Sequence, residues 1–181
     1  MKKIRFTTIS QQAAEDLTKD CCCIKNFEKP IMISITSPAE KFANIQVDIP
    51  ILRLQFDDLS PKDLELISPQ FSFELYTVMN KEDVVKIFQF IEEQKPDMII
   101  THCKAGVCRS QAVNAALSKI ILEEDDRFFK EGVPNMHVYT SMLNYWFGEL
   151  YQCSDTYPDK SAHKLYPWIY KQRVNNFKKI H

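Results

Sequence analysis

Glycine is scarce in this chain: only Gly106, Gly132 and Gly148 occur in 181 residues. So few leave little licence for left-handed turns, and each marks a position where the backbone has a special task. Long apolar runs are missing as well. None approaches the roughly 18–20 residues of a membrane span. Neither sign of charge dominates, with 23 Lys and Arg against 24 Asp and Glu. That balance excludes the global basic field of a general nucleic-acid binder, so no nucleic-acid partner is expected. The six cysteines are too sparse for a disulfide scaffold, and three of them, Cys21, Cys22 and Cys23, are consecutive and cannot staple distant segments. No CxxC pair exists, and His102, His137, His163 and His181 lack zinc-ligand spacing, so no metal is expected. Met1-Lys2-Lys3 opens like a signal peptide, but Arg5, Thr7, Thr8 and Ser10 break any apolar h-region. Together these absences predict a soluble, cytoplasmic protein in a reducing compartment.

What is present is enough to fold. The chain is 45% apolar and 12% aromatic, which suits a single domain over residues 1–181 with a sizeable core. Lys3–Ile9 alternates as a first strand, and Ser10 caps a helix through Leu17. Ile31–Ile35 and Ile49–Phe56 read as strands, and Ser60-Pro61 opens a short acidic helix. The stretch 67–79 carries no clear period. Asn80, with Glu82 and Asp83 behind it, starts a helix that Pro96 ends. Met98–Thr101 is a buried strand, Ser110–Leu122 a helix with a thin alanine face, and His137 to about Leu150 another helix. This alternation predicts an α/β fold with three layers, a central mostly parallel sheet flanked by helices.

From Lys160 on, Lys160, Lys164, Lys171, Arg173, Lys178 and Lys179 meet no acid and alternate with aromatics such as Tyr166, Trp168 and Tyr170. A terminal helix docked by its aromatic face, its cations in solvent, is expected; contact with an anionic partner or membrane surface is the functional alternative. Cys21–Cys23 reads as small half-buried residues at an element end, with palmitoylation or redox activity as the alternative.

The chemistry concentrates in His102-Cys103-Lys104-Ala105-Gly106-Val107-Cys108-Arg109-Ser110. A buried strand ends at a cysteine, and a helix begins beside an arginine six positions later. The open amides and dipole of a helix N-terminus bind anions and depress the pKa of a nearby thiol. Gly106 lets the loop curl so that successive N–H groups form an anion nest. Arg109 brings a planar fork matched to phosphate. A thiolate under an oxyanion cradle suits nucleophilic attack on phosphorus.

This segment resembles the HCxxGxxRS phosphate loop of the cysteine-dependent protein tyrosine phosphatase superfamily, closest to its dual-specificity branch. Leu54-Gln55-Phe56-Asp57-Asp58 is similar to the strand and acid loop upstream, Asn80–Asp97 to the helix-and-strand unit before the loop, and Val133-Pro134-Asn135 to the Pro-Asn step after its helix. The resemblance covers about residues 50–147, leaving 1–45 and 151–181 as additions. It implies a phosphatase-like fold and a metal-free, cofactor-free phosphomonoesterase with a phosphocysteine intermediate. Cys103 would be the nucleophile, and Arg109 with the backbone of Lys104, Ala105, Gly106, Val107 and Cys108 would bind the phosphate or vanadate-like anions. Ser110 would ease departure of the thiolate, and His102 would position the loop. Asp58, with Asp57 as the alternative, would be the general acid; Asp48 and Asp97 are weaker candidates.

The expected partner is a phosphorylated substrate, a phosphoprotein first. Lys104 also fits the phosphoinositide branch, although Val107 stands where that branch usually carries a second base. A catalytically weak phosphate-binding module and a rhodanese-like sulfur transferase are the competing readings. Cys108 is either a resolving thiol for oxidised Cys103 or a packing residue. The oligomeric state is left open.

Overall fold

Four strands, β1 (Arg5–Ser10), β2 (Pro30–Thr36), β3 (Ile51–Gln55) and β4 (Met98–Cys103), form a wholly parallel sheet in the order β1-β4-β2-β3. The computed structural model describes residues 3–67, 76–148 and 162–180, without the side chains of 162, 163 and 176–180. The helices are α1 (Gln11–Glu15), α2 (Cys22–Lys25), α3 (Pro61–Ile67), α4 (Lys81–Gln94), α5 (Arg109–Leu122), α6 (Asp126–Glu131), α7 (Met136–Phe147), α8 (Ala162–Leu165) and α9 (Pro167–Ile180). The α/β architecture with a parallel sheet between helices matches the expected fold class.

Every residue of β4 is buried, as is β2 from Ile31 onward, because helices cover both faces of the sheet. Alternation divides the strand residues between two cores. Ile31, Ile33, Ile35 and Ile99 meet Phe88 of α4, Leu117 of α5, Trp146 of α7 and Ile169 of α9 on one face. Met32, Met98 and Ile100 meet Ala14 of α1, Ile24 of α2 and the segment around Ala43–Val47 on the other. All of α5 except Lys119 is buried, which explains its alanines: Ala112, Ala115 and Ala116 let it lie close against the sheet. Its buried Asn114 accepts from the Thr101 hydroxyl at 2.7 Å and donates to the Thr7 carbonyl at 2.9 Å. One side chain thus ties α5 to two strands, and no polar group of the set is left unpaired.

The helix signals were legible where capping side chains carried them. Ser10 accepts from the Ala13 N–H, and Asn80 and Asp83 form a reciprocal capping box on α4. Two short helices, α2 and α6, lack a period long enough to read in the sequence. α1 stops at Glu15 rather than Leu17, and α7 stops at Phe147, with Gly148 at φ 103°. Most of the unread stretch 67–79 lies outside the described residues, as does Lys160. Among the described residues no helix is long and apolar enough to cross a membrane. The five described cysteines are free thiols, with Cys21 and Cys23 half-buried beside an exposed Cys22.

The terminal segment corrects one expectation. Arg173 is not an unopposed surface cation: it is buried, donates to the Ile120 carbonyl at 2.7 Å and pairs with Glu123 at 2.7 Å. It stitches α9 to the C-terminal end of α5, whose last carbonyls need donors. The aromatic face does dock. Phe88 packs against Tyr145, Trp146 and Tyr166 at centroid distances of 5.3–5.5 Å, and Glu92 accepts from the N–H groups of Trp168 and Ile169 at the start of α9. Removing Phe88 opens a cavity between three helices. Phe88→Ala should therefore cost about 3–5 kcal/mol in denaturant unfolding, with the tryptophan fluorescence reporting the transition.

Candidate active site

Parallel pairing brings the carboxyl ends of the strands to one edge. The register sets Ser10 beside Cys103 and Thr36 beside Gln55, so the loops after all four strands open on the same side. In open parallel sheets this edge, where the strand order reverses, is where ligands bind. β4 runs past Thr101 and ends on Cys103, the cysteine at which the strand was expected to end, which is 3% exposed. The chain then passes through residues 104–108 and enters α5 at Arg109.

Three of the loop carbonyls are taken by the surrounding protein. Lys104 O accepts from Gln11 N at 3.2 Å, Val107 O from Val133 N at 3.0 Å, and Cys108 O from Asn135 N at 3.3 Å. With these carbonyls turned to the scaffold, the N–H groups of Gly106 and Ser110 face the Cys103 sulfur. Cys108 stands at the N-cap of α5 and gives it no side-chain cap, so the helix's positive end stays open to the site. Gly106 is at φ 77°, and a Cβ there would lie 2.7 Å from the Ile9 carbonyl group and 2.9 Å from Ser10 N. Gly132 is needed for space instead: a Cβ would meet Val107 O at 2.7 Å and the Gln111 side chain at the same distance. The supports Gln11, Gly132 and Val133 were not singled out for this role in the sequence, because nothing local marks a backbone donor to a distant loop.

Burial pushes the Cys103 thiol up. The Ser110 hydroxyl at 3.2 Å, the N–H groups of Ser110 and Gly106, and the Arg109 guanidinium outweigh it, leaving the pKa below the ordinary thiol value. Arg109 is itself buried. Its Nη1 donates to the Phe56 carbonyl at 2.8 Å and to Ser37 Oγ at 3.2 Å, while Nε has no acceptor among the described residues. A buried charged donor without a partner is costly, and this one belongs to the first residue of the helix that follows the loop. Ser37, which the sequence did not flag, thus helps aim the guanidinium.

His102 lies fully buried, its Nε2 2.8 Å from Ser34 Oγ. Burial pushes its pKa down to about 4, so it is neutral at neutral pH and positions the strand rather than carrying a proton. The two adjacent aspartates separate clearly. Asp57 Oδ2 accepts from Thr77 N at 2.9 Å, fastening the segment after β3 to the chain before α4. Asp58 Oδ1 accepts from Asn135 Nδ2 at 2.9 Å and Asp58 contacts the Cys108 thiol, which burial and this carboxylate together push up to about 11. Asn135 also caps α7 by accepting from Val138 N, so the Pro-Asn step anchors both α7 and Asp58. Asp48 pairs with Lys19 in solvent, and Asp97 accepts from Glu28 N and Lys29 N at the opposite end of β4, which removes both from the site. Lys104 is exposed and pairs with Glu40 at 2.8 Å; Ala105 and Val107 are exposed at the mouth. Among the described residues no cluster of His, Cys, Asp and Glu is placed to hold a metal ion. A separate open cleft of about 680 Å³, lined by residues such as Lys3, Arg5, Glu124 and Arg127, gathers none of these groups.

No protein-family model matches the sequence, and no curated protein matches it. Among solved structures the chain is similar to one described as the crystal structure of Tk-PTP in the active form, with 10% sequence identity and a TM-score of 0.32 over 96% of this chain and 93% of that one. At that degree of likeness, function has to be argued from the side chains of the site.

Two outcomes test this geometry. Gly106→Ala must strain a left-handed backbone and press a methyl group into the β1–α1 junction. It should lower stability by at least about 2 kcal/mol in thermal unfolding and weaken anion binding. His102 makes stability sensitive to acid. Above its ordinary value of 6.5 both folded and unfolded chains hold it neutral, and its contribution is fully present. Between 6.5 and about 4 only the unfolded chain takes the proton, so stability falls as pH drops through this window, by about 3 kcal/mol in all. His102→Gln should remove that part of the slope in urea titrations across the same range.

Proposed function

We propose that the protein is a cysteine-dependent phosphatase that hydrolyses phosphomonoesters through a phosphocysteine intermediate. The observation that carries this reading is the buried Arg109 Nε without an acceptor, set at the same loop as a Cys103 thiol held below its usual pKa. An oxyanion fills the donor, and its phosphorus then lies against the sulfur.

The steps follow from the residues. The Cys103 thiolate attacks phosphorus while the loop amides and Arg109 hold the non-bridging oxygens. As the ester P–O bond breaks, protonated Asp58 gives its proton to the leaving oxygen. Water then attacks the phosphocysteine, Asp58 takes a proton from it, and the S–P bond breaks to return the thiolate and inorganic phosphate. The Ser110 hydroxyl donates to the departing sulfur. Asp58 is favoured over Asp57 because Asp57 is committed to Thr77, whereas Asp58 reaches the loop through Cys108. A protein tyrosine or dual-specificity phosphatase working in the cytoplasm is the finer reading. It agrees with a reactive thiol that needs a reducing compartment and with apolar residues at the rim, Val107, Val133 and Met136, that suit a carbon-rich leaving group. Sulfur transfer is less well served, because a persulfide needs neither the aimed guanidinium nor an acid.

Hydrolysis of 4-nitrophenyl phosphate, inhibited by vanadate, is the direct assay. Cys103→Ser should lose at least about a thousandfold in turnover while still binding phosphate. Activity should rise through a limb below the ordinary thiol range as Cys103 ionises. Asp58→Asn should cost about a hundredfold with alkyl phosphates. If Asp57→Asn does this instead, the acid is Asp57. Near-wild-type turnover by Cys103→Ser overturns the mechanism.

A further inference from the structure

The turn after β2 touches both cations of the phosphate loop. Ser37, its first residue, accepts from Arg109 Nη1 at 3.2 Å, and Glu40, its last, pairs with Lys104 Nζ at 2.8 Å. It is a rigid wall. Glu40 N donates to Ser37 O at 2.9 Å, and Gln55 Nε2 at the end of β3 donates to the carbonyls of Ser37 at 3.4 Å and Glu40 at 3.0 Å. Arg109 at the base of the cradle keeps its positive charge. Lys104 at the rim is matched by a carboxylate that is itself only partly exposed.

Building on the phosphatase reading above, we propose that Glu40 is a specificity-determining residue that restricts this site to substrates carrying a single phosphate, by neutralising Lys104 and placing a negative charge where a second phosphate would stand. A lysine next to the nucleophile would otherwise recruit a polyanion. A second phosphate approaching Lys104 must break an ion pair and face the freed carboxylate, whereas a monophosphate seated on Arg109 meets neither cost. The Glu40 carboxyl is held below its usual pKa by Lys104 first, with a further contribution from Arg109, so it is charged across the neutral range. Negative charge on the wall thus discriminates by what lies beyond the scissile phosphate.

The test compares inorganic phosphate with inorganic pyrophosphate, each titrated calorimetrically into the full-length chain. Glu40→Gln should raise the affinity for pyrophosphate relative to phosphate by about five- to tenfold near physiological salt, and the gain should shrink toward nothing at about 1 M salt. Adding Lys104→Gln to Glu40→Gln should abolish the gain, because the released ammonium is what recruits the second phosphate. An unchanged ratio in Glu40→Gln overturns the proposal, as does a gain that survives in the double variant, or a wild type that binds neither anion. The phosphatase reading fails separately: a chain that binds phosphate but does not turn over 4-nitrophenyl phosphate sinks that reading, while the affinity ratio still decides the role of Glu40.

Discussion

A peptide segment that offers its N–H groups to an anion must dispose of its carbonyls, and the site depends on how this chain does so. Three loop carbonyls are taken by donors from elsewhere: Gln11 at the start of α1, and Val133 and Asn135 between α6 and α7. These donors come from two distant parts of the chain, the start of α1 and the α6–α7 connection, so the cradle depends on both being in place at the carboxyl edge of the sheet. The same requirement explains the glycines. Gly106 must press on the β1–α1 junction and Gly132 on the Val107 carbonyl, and a side chain at either point would push the loop away from its donors.

Charge is arranged around this frame with little redundancy. Arg109 is buried and aimed by a main-chain carbonyl from the end of β3 and a hydroxyl from the end of β2, so its direction is set before any ligand arrives. Such preorganisation is what makes a charged donor effective, since no reorganisation is needed when the oxyanion forms. Burial alone would raise the Cys103 pKa; the Ser110 hydroxyl, two amides and one guanidinium outweigh it and leave it below the ordinary thiol value. Behind them, neutral His102 and the Asn114 network hold β4 in place without adding charge under the pocket.

The periphery serves the same edge. α9 closes the helical face of the core through Trp168, Ile169 and Tyr170 and through Arg173, which satisfies the end of α5. The stability of α5 matters to the site because its first turn supplies the Ser110 N–H and the guanidinium. The tie between Asn135, α7 and Asp58 works in the same way, linking Asp58 to the start of α7.

Much of this was legible in the residues themselves, because the signals are local. A β-branched or apolar run between breakers marks each of the inner strands, Asn80 and Asp83 mark a helix start, and the interval from Cys103 through Gly106 to Arg109 and Ser110 specifies a strand, a curled loop and a helix N-terminus in succession. What tertiary structure alone decided involves partners far apart in the chain. The different anchoring of Asp58 and Asp57 turned on Asn135 and Thr77, the aim of Arg109 on Ser37 and Phe56, the pairing of Lys104 on Glu40, and the burial of Arg173 on Glu123. A sequence encodes local backbone preference directly through sterics and capping. Which donor meets which acceptor across tens of residues is settled by the packing of the sheet and its helices, after the local elements have formed.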